Sequence, residues 1–236
     1  MGKNLIQQRR GKGSHTFRVI SFRFRGKATY ATFTEPVDGT IIDIVDCPGH
    51  SAPLAKIKYD NGKEILTIAP ENIRVGERVG YGVGVIKSGT IMQLKDIPEG
   101  TAIFNIEARP GDGGKFVRAS GCFAKIVSKF QNKIIVLLPS SKEKEFIGEC
   151  RASIGVIAGS GRTEKPFYKA GNKYKAMQAR NKYYPHVSGL SMNAVDHPFG
   201  GRSSHAKGKP TQSARNSPPG RKVGKIAPRR TGRKSR

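Results

Sequence analysis

Positive charge is spread so unevenly along this chain that it dictates which segments can bury a core unaided. The 236 residues carry 43 Lys and Arg against 17 Asp and Glu, a net charge of +26. Residues 1–34 hold 8 basic residues and no acid, and residues 162–236 hold 19 basic residues against only Glu164 and Asp196. The intervening residues 35–161 are close to neutral, with 16 basic and 15 acidic residues. Ordering backbone costs about 1–2 kcal/mol per residue, and a self-repelling segment punctuated by Gly and Pro has too little apolar surface to offset that without a polyanion. The middle therefore reads as a self-sufficient domain, and the two ends as segments that take their shape from an acidic partner.

Other classes of protein fall away on the same sequence. The longest apolar runs, Ile134 to Leu138 and Ile154 to Ala158, fall far short of the ~18 residues of a membrane span. The opening Met1-Gly-Lys-Asn-Leu-Ile-Gln-Gln has no apolar core for export. Cys47, Cys122 and Cys150 are odd in number and widely spaced, so they make neither a disulfide framework nor a Cys-x-x-Cys pair. The expectation is a cytoplasmic protein with no membrane partner and no small-molecule substrate.

Within the neutral middle, short β-branched runs alternate with turn signals, the pattern of small barrels. Thr40 to Val45 follows the Asp38-Gly39 turn, and Ala55 to Tyr59 and Lys63 to Ile68 flank Asp60-Asn61-Gly62, a strong hairpin signal. Arg74 to Tyr81 supplies another strand before a glycine-rich joint at Gly76, Gly80, Gly82 and Gly84. A second set is expected over Gly84 to Lys95, Thr101 to Arg109, Lys115 to Ala119, Cys122 to Phe130, Lys133 to Leu138 and Ala152 to Ala158. The fold class is mostly β, with two small barrels over residues 35–83 and 84–161. These boundaries leave a basic N-terminal arm over 1–34 and a basic extended tail over 162–236.

In the arm, Phe17, Phe22, Phe24 and Tyr30 are interleaved with Arg18, Arg23 and Arg25. That mixture suits RNA, with Arg on phosphate and rings on exposed bases. Val19 to Arg25 also alternates as a strand would. In the tail, Ala176, Met177, Ala179 and Arg180 predict one short helix within Lys173 to Tyr183. Gly200 to Arg236 reads as coil shaped by a surface.

Several motifs reduce to structure. Gly80-Tyr81-Gly82-Val83-Gly84 opens no helix and lacks the acidic residue of a dinucleotide site, and Gly159-Ser160-Gly161-Arg162-Thr163 lacks the Gly-Lys-Ser/Thr ending of a phosphate loop. Cys47-Pro48-Gly49-His50 offers two zinc ligands where four are needed, so a turn at a barrel rim is expected. His15, His50, His186, His197 and His205 have no Ser or Cys nucleophile partner. No metal, cofactor or catalytic residue is expected.

The most informative stretch is Val187-Ser-Gly-Leu-Ser-Met-Asn-Ala-Val-Asp-His-Pro-Phe-Gly-Gly201. Its glycines allow close backbone approach to RNA, Asn193 and His197 can bond base or sugar edges, and Asp196 can orient His197. Two further uses stay open at this level. His197 with Asp196 could serve as a general acid or base in peptide-bond chemistry, or the tails alone could condense nucleic acid irrespective of its fold.

That stretch, with Pro218-Pro-Gly-Arg-Lys-Val-Gly-Lys-Ile-Ala-Pro-Arg-Arg-Thr-Gly-Arg233 and Ala158-Gly-Ser-Gly-Arg-Thr-Glu-Lys-Pro166, resembles the universal large-subunit ribosomal protein two family over essentially the whole chain. Phe199, where bacterial members carry a second His, and the compact length resemble the archaeal and eukaryotic branch, the archaeal side most closely. Ser188, Ala194 and Arg202 depart from the family pattern, where Arg, Pro and a further Gly are usual. The resemblance implies an oligonucleotide-binding-type barrel followed by an SH3-like barrel, with extensions threading into ribosomal RNA. It also implies a structural, primary RNA binder near the peptidyl transferase region that supports subunit association. The implied partners are large-subunit RNA, neighbouring ribosomal proteins and small-subunit RNA. The residues expected on RNA are Arg9, Arg10, Lys12, Arg18, Arg23 and Arg25 at one end. At the other they are Arg162, Lys169, Lys173, Lys175, Arg180, Lys182, Asn193, His197, Arg202, Arg221, Lys222, Arg229 and Arg230.

Overall fold

A computed structural model describes residues 3–33, 35–82, 86–131, 133–201 and 210–229. The chain divides into two compact units, one spanning Ile20–Asn172 and the other combining Met1–Val19 with Lys173–Arg236.

The first unit is built from strands β1 (Val37–Val45), β2 (Leu54–Tyr59), β3 (Glu64–Ile68), β4 (Arg78–Gly82), β5 (Ile91–Gln93), β6 (Ala102–Phe104), β7 (Ala124–Lys129), β8 (Lys133–Leu137), β9 (Glu143–Ile147) and β10 (Arg151–Ile154). Among the described residues they join in one ladder, in the order β3-β2-β1-β4-β5-β10-β6-β7-β8-β9. The β2–β3 hairpin closes at Asp60-Asn61-Gly62, where the Gly62 N–H donates to the Tyr59 carbonyl at 2.8 Å and Gly62 takes φ +83°. This is the left-handed conformation that glycine supplies without steric cost. The only parallel pairing in this ladder joins β4 to β5, at Tyr81 opposite Ile91, and so carries the first set of strands into the second.

The fold is mostly β, an oligonucleotide-binding-type barrel followed by an SH3-like barrel. The first is filled by Ile41, Ala55, Ile57, Tyr59, Val79 and Tyr81, with the Phe33 ring edge-on to Tyr59 and Tyr81 at 4.8 and 5.1 Å. The second is filled by Leu94, Ile97, Ile103, Ile126, Ile134, Val136 and Phe146. A third cluster of Ala28, Cys47, Leu54, Ile68, Phe104 and Ile157 draws on both sets of strands.

The structure differs from the sequence reading at several points, each with a physical reason. Lys115 to Ala119 forms no strand, because Gly113, Gly114 and Val117 all take positive φ, and only an isolated bridge joins Phe116 to Ile106. Strand β9 was not expected, since Glu143, Lys144 and Glu145 look like loop. It is the terminal strand of the ladder, where charged side chains discourage pairing with another chain. Val19 to Arg25 is not a strand but includes a 3-10 turn at Ser21–Arg23. Tyr30, read as a ring for RNA, is buried with Ala28 and Ala31, and the Thr29 N–H donates to the Leu66 carbonyl at 3.0 Å. Phe24 is half-buried against Gly49, where a Cβ would lie 2.9 Å from its ring.

Tyr30 is drawn inward by the most strongly bonded cluster in this unit. The Glu107 carboxylate has no solvent exposure and accepts from Arg151 Nη2 at 2.6 Å, Arg151 Nε at 3.0 Å, the Arg151 N–H at 2.9 Å and the Gly113 N–H at 3.0 Å. Arg151 Nη1 also donates to the Ala31 carbonyl at 2.7 Å and to the Tyr81 hydroxyl. The Tyr30 hydroxyl donates to the Asn105 carbonyl at 2.7 Å and meets Ser153 Oγ at 2.9 Å. Burial pushes the Tyr30 phenol above its ordinary range, so it stays protonated as a donor. One guanidinium thereby ties the segment before β1, strand β4 and strand β10 together.

Burial alone would raise the Glu107 carboxyl, but the hydrogen bonds from Arg151 and Gly113 outweigh it and hold the group below the ordinary carboxylate range. A depressed folded-state pKa contributes stability above the unfolded value of about 4.3 and loses it as pH falls through the folded value. Glu107→Ala is therefore expected to lower unfolding free energy in urea at pH 7 by about 3–5 kcal/mol, because it strands a buried guanidinium. Glu145→Ala, which breaks the exposed, solvent-screened pair with Lys133, should leave it nearly unchanged. Equal costs for the two would contradict this assignment.

Candidate nucleic-acid interface

The unit formed by the two chain ends holds 21 basic residues and a single acid, Asp196, so it carries +20 of the total +26. Its described part contains helix α1 (Ile6–Gly11), a 3-10 turn at His15–Phe17, helix α2 (Ala170–Ala179) from Lys173 onward, and two tied loops. Helix α1 places Arg9 and Arg10 in its last turn, where the helix dipole favours cations. Just beyond the end of helix α2, Asn181 takes φ +52°, which lets the Lys182 N–H return to the Met177 carbonyl at 2.8 Å. Asn tolerates this left-handed position better than most residues. The predicted helix is thus present, three residues earlier at its start than Lys173 to Tyr183.

The 187–201 stretch is a compact loop rather than a strip of chain. The Asp196 and His197 N–H groups both donate to the Asn193 carbonyl, at 2.9 and 3.2 Å, and the Gly201 N–H donates to the Met192 carbonyl at 3.0 Å. Gly201 takes φ +88°, and Gly189 and Gly200 are required by space. A Cβ on Gly200 would lie 2.3 Å from the Met192 carbonyl oxygen, and one on Gly189 would lie 2.4 Å from the His197 ring.

His197 is half-buried, with its ring centroid 5.1 Å from that of Phe199, and its Nδ1 accepts the Phe199 N–H at 3.0 Å. An Nδ1 that accepts leaves Nε2 to carry the ring proton, so Nε2 is the donor on offer to a partner. Asp196 does not orient His197 as expected. Its carboxylate instead meets Lys3 Nζ at 2.8 Å, and the Lys3 N–H reaches the Val195 carbonyl at 3.4 Å. The carboxylate–imidazole pairing that general acid–base chemistry would use is therefore replaced by a clasp between the chain ends.

Nor are residues 210–229 a featureless coil. Short strands β11 (Gln212–Ser213) and β12 (Lys225–Ile226) pair in parallel. Ser213 Oγ donates to the Val223 carbonyl at 2.6 Å and accepts the Val223 N–H at 3.2 Å. Gly224, at φ +78°, passes so close to the Thr211 carbonyl oxygen that a Cβ would lie 2.2 Å away. Lys222 Nζ closes the loop on the Arg215 carbonyl at 2.6 Å.

Of the residues expected on RNA, this unit brings together Arg9, Arg10, Lys12, Arg18, Lys173, Lys175, Arg180, Lys182, Asn193, His197, Arg221, Lys222 and Arg229. All are exposed except Lys173, Arg180 and His197, which are half-buried. Arg23, Arg25, Arg162 and Lys169 lie on the barrel unit, also exposed, with Arg162 Nε donating to Ser120 Oγ at 2.8 Å. Arg202 and Arg230 lie outside the described residues. Sequence reasoning missed Lys3, Tyr174, Gln178 and Tyr183, which line the same surfaces as the basic residues. The Tyr residues within and directly after the basic Lys173 to Lys182 segment, at 174, 183 and 184, were the available signal.

Fold and charge define a class: a two-barrel β protein with a compact, strongly basic unit made from both chain ends. Family models for ribosomal protein L2 match it twice, the RNA-binding N-terminal domain over residues 1–80 and the C-terminal domain over residues 87–221. The large ribosomal subunit protein uL2 of Methanocaldococcus jannaschii is 52% identical over 239 residues, covering 98% of this chain and 99% of that protein. Those of Methanothermobacter thermautotrophicus and Natronomonas pharaonis are each 48% identical, over 99% of this chain and 100% and 97% of their own lengths. The chain belongs to the ribosomal protein L2 family of the large ribosomal subunit, in its archaeal form. These relatives are named as ribosomal proteins, not as enzymes.

The close contacts around Gly200 make a sharp prediction. Gly200→Ala should open the loop and speed amide hydrogen exchange at His197 and Gly201 by at least about tenfold, as expected of local opening. Gly171→Ala, in helix α2 with nothing within 4 Å of its Cβ position, should leave those amides unchanged. Unchanged exchange in Gly200→Ala would mean that the loop is not held as described.

Proposed function

We propose that this protein is a structural component of the large ribosomal subunit that binds its ribosomal RNA chiefly through the unit of the two chain ends. There it stabilises folded RNA near the peptidyl transferase region and supports subunit association. The observation that carries the reading is the concentration of +20 charge in a unit whose one acid is already paired to Lys3. Such a surface gains by releasing the counterions condensed on phosphates, and it has little use for a neutral or cationic partner.

The proposed RNA-facing set is the residues named above, with His197 Nε2 and the Asn193 amide as hydrogen-bonding groups among the cations. The barrel unit acts as the scaffold and offers Arg23, Arg25, Arg162 and Lys169 as additional contacts. Neighbouring ribosomal proteins and small-subunit RNA complete the proposed partners, and the ribosome is the proposed place of work. A condenser acting through charge alone would instead bind RNA irrespective of its fold.

Co-sedimentation of the tagged full-length chain with large subunits in high-salt gradients tests the reading, and the salt dependence of binding to large-subunit RNA tests its physics. Each neutralised phosphate should contribute a log–log slope of roughly −0.7 to −0.9. Removing residues 202–236, which hold 12 basic residues, should flatten that slope by several such increments. An unchanged slope, or equal affinity for heat-unfolded and folded RNA, would contradict the proposal.

A further inference from the structure

The unit of the chain ends encloses a groove of about 1,380 Å³, lined by residues from α1, the 187–201 loop and the 211–227 loop. That volume exceeds the ~300–1,000 Å³ of clefts for small ligands, and its lining mixes apolar side chains with several cationic ones. Arg9, Arg10, Lys12 and Lys222 line it, and the one acid there, Asp196, is paired with Lys3. Phe17 and Tyr183 also line it, and with Arg10 and Thr16 they are shared with a second, smaller cleft of about 40 Å³. Tyr174, Gln178, Asn181, Lys182 and Tyr184 complete that cleft.

The smaller cleft is chemically unlike a phosphate-only surface. Tyr174 and Tyr183 remain 45% and 37% exposed. The rings of Tyr183 and His186 meet edge-on at 5.0 Å, and Lys173 already sits over the Tyr184 ring at 5.2 Å. The Gln178 and Asn181 amides each offer a donor and an acceptor beside those rings. Paired bases inside an A-form helix cannot present their faces to such a shelf, whereas unpaired bases can stack on it and bond along their edges.

We infer that the groove takes an unpaired segment of RNA, its phosphates along Arg9, Arg10 and Lys12 and one base stacked on the exposed Tyr174 and Tyr183 at the mouth of the smaller cleft. This rests on the RNA-binding reading above and deepens it, since a strand held this way is recognised by its bases as well as by its charge.

The test uses the full-length chain with three labelled probes: a single-stranded 12-nucleotide oligouridylate, a 12-base-pair RNA duplex and an acidic poly-glutamate peptide. Tyr174→Leu and Tyr183→Leu should each weaken oligouridylate binding by at least about fivefold, the effect of losing one stacking ring. Duplex affinity and salt slope should stay unchanged, and Tyr174→Phe and Tyr183→Phe, which keep the ring, should bind as the parent does. Unchanged thermal melting and helical circular dichroism would show that the Leu variants still fold. If oligouridylate and duplex weaken together, if neither weakens, or if only peptide binding depends on the rings, the inference is overturned. Failure of the parent chain to bind either RNA would overturn the RNA-binding reading itself, an outcome distinct from ring-independent binding.

Discussion

A carboxylate with no solvent exposure is tolerable only if its surroundings replace water completely, and the barrel unit is arranged so that they do so for Glu107. Arg151 supplies charge and three of the hydrogen bonds, and Gly113 supplies another. The same guanidinium reaches Ala31 and Tyr81. The cluster therefore does more than satisfy an acid. It fixes the segment that precedes β1 against strands from both barrels, together with the parallel β4–β5 pairing and the shared apolar cluster around Phe104.

The internally bonded barrel unit carries only +6 of the net charge, so most of it is carried elsewhere. The excess sits in a unit that neither chain end could build alone, because its clasp joins Lys3 to Asp196 and its groove is lined from both ends. The ion pair itself is exposed enough to contribute little energy. Its role is geometric, since it places α1 beside the loop that carries Asn193 and His197. Glycines at 189, 200 and 224 let backbone and ring approach closely where any side chain would collide. Strong self-repulsion remains in such a unit, and a polyanion relieves it.

What could be read from the sequence follows how local each feature is. The hairpin at Asp60-Asn61-Gly62, the strands around it and helix α2 rest on propensities and turn chemistry confined to a few neighbours. Strand β9 was invisible because a terminal strand of alternating Glu and Lys has the composition of a loop. The opposite error at Lys115 to Ala119 arose because positive φ at Val117 is set by tertiary contacts and not by its β-branched preference. The burial of Tyr30 depends on Asn105 and Ser153, far away in sequence, and the diversion of Asp196 from His197 depends on Lys3. Charge segregation showed where the basic residues concentrate along the chain. It could not show that the two ends fold into one unit, because that requires contacts across nearly the full length of the chain.

Labour is divided between a barrel scaffold of low net charge and a strongly basic unit made from the chain ends. Ultraviolet cross-linking of the full-length chain to large-subunit RNA, with the linked peptides identified by mass spectrometry, tests it most directly. The account predicts that links concentrate in residues 3–19 and 173–229, with Tyr174, Tyr183 and the His197 loop among them. Links concentrated instead on the outer faces of β1 to β10, with the chain ends unmarked, would contradict it.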